Sequence, residues 1–207
     1  MSSNRKKDEE KTQASRIGLF FGSFNPVHTG HLIIGQYFAE FADLDKVWYV
    51  LSPQNPFKAN HELLPGEDRL QLLELAIAGN PLLACCDIEL RLQTPSYTVH
   101  TLQALEEKYP ELSFVLIMGS DNLESLPYWK DYKTITEGFD IYVYPRPGFQ
   151  AVGAPASLGK RIRYVDAPLI DISSSFIRQA ITSGKTPRYW LPEKVWETIK
   201  KQGYYQI

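Results

Sequence analysis

The sequence is poor in several features that would each mark a class of protein. Its only cysteines, Cys85 and Cys86, are too few for a disulfide scaffold. Adjacent in an extended stretch, they point to opposite faces, which argues against a mutual disulfide or a shared metal and leaves them as small buried or half-buried hydrophobes. No apolar run approaches the ~18 residues of a membrane span, and no early segment has the charged, apolar and small-residue succession of a secretory signal, so a cytoplasmic protein with no membrane partner is expected. Charge of one sign is also missing: 22 basic residues face 24 acidic ones, without the basic surplus that neutralises a nucleic-acid backbone, so no nucleic-acid partner is expected. Neither GxxxxGK[ST] nor GxGxxG occurs, which removes the two commonest phosphate-binding loops.

What is present points to one large α/β domain. The first fifteen residues, MSSNRKKDEEKTQAS, hold almost nothing apolar and read as a disordered polar tail; residues 16–207 form the domain. Strands are expected over Arg16–Phe21, Lys46–Ser52, Leu83–Leu90, Leu112–Met118 and Arg161–Val165. Helices are expected over Thr29–Ala42, Gly66–Ala78, Ser96–Tyr109, from Ser174, and over Pro192–Gln202. A proline-rich loop runs to Pro65, and Gly148–Lys160 is poor in helix. Strands alternating with helices of this length imply a doubly wound parallel sheet, whose ligands bind beyond the carboxyl ends of the strands.

The loop after the first strand reads Gly22, Ser23, Phe24, Asn25, Pro26, Val27, His28, Thr29, Gly30, His31. A helix starting near Thr29 turns His28 and His31, three apart, to one side, where imidazoles and free amides face anionic oxygens. Packing of the helix start by two satisfied histidines is the main rival reading. A metal site is disfavoured because no third ligand is supplied nearby, His61 and His100 being distant in sequence. Far downstream, Ile172-Ser173-Ser174-Ser175-Phe176-Ile177-Arg178 offers cap hydroxyls, a helix start and a planar cation one turn later.

GSFNPVHTGHL resembles the first motif of the nucleotidylyltransferase superfamily, and ISSSFIR resembles its ISSTxIR signature. The resemblance runs from about Arg16 to the C-terminus and implies a single-domain, Rossmann-like nucleotidylyltransferase fold. It places Gly22, Ser23, Phe24, His28, Gly30, His31, Ser173, Ser174 and Arg178 on ATP, with His28, His31 and Arg178 catalytic. Two departures stand out: Asn25 where many members have Asp, and Ser175 where Thr is frequent.

Three middle segments are similar to the bacterial nicotinate mononucleotide adenylyltransferase family: SPQNPFK, TPSYT and MGSDNLESLPYW. The similarity implies acceptor contacts at Lys58, Thr94, Tyr97, Thr98 and Trp129, with nucleoside contacts at Gly119 and Asp121. Arg146 of YPRPGF is implied near the bound nucleotides on the acceptor side, and the C-terminal YWLPEKVWETIKKQGYY resembles the family's closing segment. The reaction implied is transfer of AMP from ATP to nicotinate mononucleotide in NAD biosynthesis, with Mg2+ carried by the nucleotide and no metal held by the protein. A carboxylate at the start of the helix opened by TPSYT is favoured by the dipole, whereas a carboxamide gains less, which selects nicotinate over nicotinamide. Nicotinamide mononucleotide or phosphopantetheine as acceptor, a tRNA-synthetase-like module and a non-catalytic nucleotide-binding domain stand as alternatives. A homo-oligomer is compatible with the sequence.

Overall fold

The structure, a computed structural model, describes residues 14–53, 63–93, 95–149 and 161–206. Residues 1–13 of the expected tail, most of the loop before Pro65, and residues 150–160 of the helix-poor stretch lie outside these, as do Lys58 and Thr94. Among the described residues, β1 (Ser15–Gly22), β2 (Lys46–Leu51), β3 (Leu83–Cys86), β4 (Leu112–Gly119), β5 (Asp140–Tyr144) and β6 (Ile162–Tyr164) form one sheet in the order β3-β2-β1-β4-β5-β6. Every neighbouring pair is parallel. Pairing proceeds outward in both directions from β1 and β4, so the crevice at their carboxyl ends is the switch point where such sheets take ligands.

Both faces of this sheet are covered, which is why its strands read as continuous apolar runs. Alternation along β1 and β4 sends Phe20, Val115 and Ile117 into one core and Ile17, Leu19, Phe114, Leu116 and Met118 into the other. The first core is closed by α1 (Thr29–Phe41), α2 (Gly66–Ile77), α7 (Ser174–Thr182) and α8 (Glu193–Gln202). The second is closed by α4 (Thr98–Lys108), α5 (Ser120–Ser125) and α6 (Tyr132–Gly138). Helix α8 has Glu193 in its first turn, Lys200 and Lys201 in its last, and Gly203 at φ 68° as its left-handed stop, each matched to the dipole or to the geometry of a helix end.

Two differences from the sequence pattern have physical causes. The strand expected over Leu83–Leu90 ends at Cys86, because β3 pairs only with Val47–Val50 of β2 and has no partner beyond; the chain turns into the short helix α3 (Ile88–Arg91). The structure also has β5, α5 and α6, which the pattern did not assign; β5 pairs with both β4 and β6. Cys85 is half-buried and Cys86 buried, both as free thiols.

One buried cation ties the strand-end loops together. Arg69 of α2 is 1% exposed and donates to four carbonyls: Leu64 (2.9 Å), Ser23 (2.7 Å), Ser52 (2.8 Å) and Pro53 (2.9 Å). Carbonyls turned away from solvent need donors, and one guanidinium supplies all four here. Arg69→Met should therefore lower unfolding free energy by about 3 to 5 kcal/mol, since it leaves these oxygens unpaired. Urea unfolding checks this as a lower midpoint at unchanged slope.

Candidate active site

The loop between β1 and α1 is held by the two histidines themselves. His28 is the N-cap of α1: its Nδ1 accepts from the His31 amide (3.3 Å), and His31 Nδ1 accepts in return from the His28 amide (3.2 Å). A neutral imidazole that accepts at Nδ1 carries its proton on Nε2, so this reciprocal cap fixes the tautomer of each neutral ring. The rings stack with centroids 3.6 Å apart. Phe24, at a φ of 44°, sets its ring edge-on to His31 at 5.0 Å, a left-handed backbone that a bulky residue adopts only where its surroundings hold it. Tyr49 of β2 donates its hydroxyl to the His31 carbonyl (3.0 Å). It reaches that carbonyl because Gly35 has no Cβ, which would collide with the phenol.

Burial, reinforced by the Arg146 cation, pushes the His28 pKa down to about 3. The pair packs the start of α1. The Nδ1 atoms serve the fold, and the rings line a cleft.

That cleft, about 620 Å³, lies at the switch point and is also lined by Gly22, Ser23, Phe24, Asp121, Arg146, Ser173, Ser174 and Arg178. Two segments more than 140 residues apart meet here through direct bonds: Ser174 Oγ donates to the Pro26 carbonyl (2.9 Å) and Arg178 to the Asn25 carbonyl (2.9 Å). Ser173 caps α7 by accepting from the Phe176 amide (3.2 Å). The serine hydroxyls expected on phosphate are thus used in part to build the site: Ser174 spends its hydrogen on Pro26, and Ser173 keeps its own. Gly30, behind the histidines, has no room for a Cβ beside Ile170 (2.9 Å).

Arg146, expected on the acceptor side, stands in this same cleft 3.8 Å from Asp121. Its amide donates to Ser120 Oγ (3.0 Å). Gly119 ends β4 under the pair, and a Cβ there would press on the Asp121 carboxylate and come within 2.7 Å of the Arg146 stem. Asp121 Oδ1 is buried without a hydrogen-bond partner among the described residues, an acceptor aimed at a donor the protein does not supply.

Tyr97, Thr98 and Trp129 do not line the cleft. They gather beside it on the opposite sheet face, where Tyr97 and Trp129 pack on the second core. Lys130, next to Trp129, lies 4.7 Å over the Tyr97 ring, which brings the two segments together, and the Trp129 indole donates to Ser125 (3.2 Å). Thr98 opens α4, and Tyr97 before it makes no side-chain cap; the His100 and Thr101 amides donate to the Tyr97 carbonyl (2.9 and 3.2 Å), so among the described residues only the Thr98 and Val99 amides of the first turn are left without a cap.

Several positioning residues carry no signal in the sequence. Glu89 is 3% exposed and accepts from Ser96 (3.0 Å) and Thr101 (2.7 Å), bracing the start of α4. Burial raises its pKa, partly offset by bonds from Thr101, Ser52 and Ser96. Tyr49, Arg69 and Asn25 are equally buried. Nothing in an isolated window separates such residues from surface ones.

With this geometry in view, the comparisons with known proteins are decisive. The chain is 47% identical over 191 residues to a Flavobacterium johnsoniae protein named a probable nicotinate-nucleotide adenylyltransferase, covering 92% of this chain and 99% of that one. The chain belongs to the nicotinate-nucleotide adenylyltransferase family. A Cytophaga hutchinsonii protein of the same name is 49% identical over 190 residues, 92% of this chain and 98% of its own. The cytidylyltransferase-like family model matches residues 19–180, a span that takes in both the histidine loop and Arg178. The fold is shared with the Plasmodium falciparum nicotinic acid mononucleotide adenylyltransferase complexed with NaAD, at a TM-score of 0.79 and 16% identity over 92% of this chain and 97% of that one. For a nicotinate-nucleotide adenylyltransferase family member, the buried neutral His28 has a consequence in stability. The unfolded chain takes a proton on this ring below about 6.5 and the folded chain only near 3, so its contribution is complete above 6.5 and is lost as pH falls through that window. His28→Asn keeps a cap oxygen and removes the titration. Between about pH 7 and pH 5 the wild type should lose on the order of 2 kcal/mol more stability than this variant, measured by denaturant melts at both pH values.

Proposed function

We infer that the chain transfers the adenylyl group of ATP to nicotinate mononucleotide, giving nicotinate adenine dinucleotide and pyrophosphate. The observation that carries this reading is the convergence of His28, His31, Arg178 and the starts of α1 and α7 on one cleft at the switch point of the sheet. A 5'-phosphate oxygen of the acceptor attacks the α-phosphorus of ATP, a new P–O bond forms, and the bond to pyrophosphate breaks. The nucleophile is already anionic, so the protein needs no base. Its task is to align two repelling anions and to stabilise charge on the leaving group.

The residues divide that task. His28, as a neutral ring, and His31 donate from Nε2 to the triphosphate, Arg178 and the amides of α7 hold its outer phosphates, and Ser173 adds its hydroxyl. Asp121, with its unpartnered oxygen, accepts from a nucleoside hydroxyl, and Arg146 beside it contributes charge between the two nucleotides. On the acceptor side Trp129 stacks on the pyridine ring and the uncapped start of α4, with Tyr97 and Thr98, receives its carboxylate. Thr94 and Lys58 complete that side in this reading. No group of three His, Cys, Asp or Glu suited to a metal occurs among the described residues, so Mg2+ fits as part of the MgATP substrate. No helix among the described residues is long and apolar enough to cross a membrane, and with water-soluble nucleotides as substrates we place the protein in the cytoplasm.

His31→Ala should lower turnover by about 100-fold or more, the scale of losing one donor to developing charge, with a far smaller change in stability. Wild-type turnover in a folded variant would remove His31 from the reaction. Trp129→Ala should raise KM for nicotinate mononucleotide and leave KM for ATP unchanged. Pyrophosphate release with nicotinate mononucleotide, nicotinamide mononucleotide and phosphopantetheine offered in parallel measures both variants and tests the acceptor, and the wild type should favour the first.

A further inference from the structure

Beyond α8 the chain returns to the cleft loop from outside. Gly203 turns it out of the helix, Tyr204 donates its amide to the Ile199 carbonyl (3.1 Å), and Thr182 of α7 donates to the Tyr205 carbonyl (3.0 Å). These bonds carry the Tyr205 hydroxyl to Asn25, 180 residues earlier, where it donates to Oδ1 at 2.8 Å.

Asn25 is 2% exposed and works as a hub. Its Oδ1 also accepts from the Leu64 amide (3.2 Å), and its backbone carbonyl accepts from Arg178 (2.9 Å). One residue therefore receives the C-terminal phenol on one side and sets a guanidinium of the cleft on the other. Tyr205 does not line that cleft; its hydroxyl reaches the cleft loop through the bond to Asn25, and the Arg178 and Arg69 cations also act on it through space. Burial raises the phenol pKa above its ordinary value, which keeps the hydroxyl a donor at neutral pH. Left-handed backbone at Tyr205, φ 63°, is unfavourable for an aromatic residue and is held here by bonds at both its carbonyl and its hydroxyl.

We propose that Tyr205 is a positioning residue for adenylyl transfer: its bond to Asn25 fixes the loop carbonyl that orients Arg178, so the C-terminal segment tunes the grip on the triphosphate. This rests on the reading of the cleft as the triphosphate site. A neighbour supplies the comparison. Tyr204 packs on the same core but bonds to Asp68 at its far end, away from Asn25.

The test uses the full chain and steady-state kinetics with each substrate varied in turn, together with thermal unfolding. Tyr205→Phe removes one hydroxyl and should lower kcat/KM for ATP by about tenfold, with KM for nicotinate mononucleotide unchanged and the melting midpoint within a few degrees of wild type. Tyr204→Phe should match wild type. Tyr205→Phe added to Arg178→Lys should cost less than about twofold further, because coupled groups are not additive. Asn25→Ala probes the same bond from its other end and should reproduce the ATP defect and be insensitive to Tyr205→Phe, which keeps the test valid should Tyr205→Phe fold poorly. Wild-type ATP kinetics in Tyr205→Phe, or equal losses in the wild-type and Arg178→Lys backgrounds, would overturn the proposal. Wild-type ATP kinetics in Arg178→Ala would overturn the cleft assignment itself; failure of the Tyr205 proposal alone leaves Arg178→Ala impaired and Tyr205→Phe normal.

Discussion

Two hydrogen bonds to main-chain oxygens decide the shape of the site. Ser174 to the Pro26 carbonyl and Arg178 to the Asn25 carbonyl join the start of α7 to the loop ahead of α1. Each helix start carries roughly half a positive charge and unsatisfied amides. Apart, they would be two ordinary caps on a protein surface. Held together, they make one concave surface that faces anions from two directions. The loop that bridges them has little internal pairing, so its carbonyls are satisfied from elsewhere: Arg178 and Ser174 on one flank, Arg69 at Ser23 on the other. Building the site and satisfying the backbone are the same act.

The electrostatics follow from that burial. A cleft made only of cations would hold product as firmly as it holds the transition state. Here the cations Arg146 and Arg178 work beside two imidazoles, of which His28, its pKa near 3, is neutral across the working range. A neutral donor with its tautomer fixed by a cap bond needs no protonation step and adds no charge to repel its stacked partner. Asp121 balances Arg146 at 3.8 Å. Fixed donors in a partly desolvated cleft stabilise developing charge without reorganising, and on the proposed reading the reciprocal His28–His31 cap supplies that preorganisation.

How much of this was legible in the sequence depended on whether the chemistry was local. The parallel sheet followed from the alternation of apolar runs and helical periods, and HTGH and SSSFIR were readable because cap, donor and cation lie within a turn of each other. The strand over Leu83–Leu90 was read too long, since alternation continues through Ile88 and Leu90 while the pairing partner does not. Arg69 shows the deeper limit. In GEDRLQLLELAI it looks like any helix-surface cation, and its burial is set by carbonyls of residues 23, 52, 53 and 64 that only the fold brings near it. Glu89 and Tyr205 are of the same kind. The family resemblance named residues that line the cleft, and it was silent on Arg69 and Glu89, which brace the segments around it.

On the proposed reading the two halves of the site lie on opposite faces of the sheet, and this constrains how the reaction is assembled. Phe20, Phe24 and Tyr144, which wall the histidine side, belong to one core, and Tyr97 and Trp129 belong to the other. On the proposed reading, the triphosphate and the pyridine ring approach from either face and their phosphates meet over the ends of β1 and β4. There β1 and β4 end in Gly22 and Gly119, the first under the Phe24 ring and the second under the Asp121–Arg146 pair. A side chain at Gly119 would displace the Asp121–Arg146 pair, the one charged pair at that junction. On the proposed reading, selection for nicotinate falls to the start of α4. The buried Glu89 braces this helix start through its bonds to the Ser96 and Thr101 hydroxyls, while the His100 and Thr101 amides are taken by the Tyr97 carbonyl.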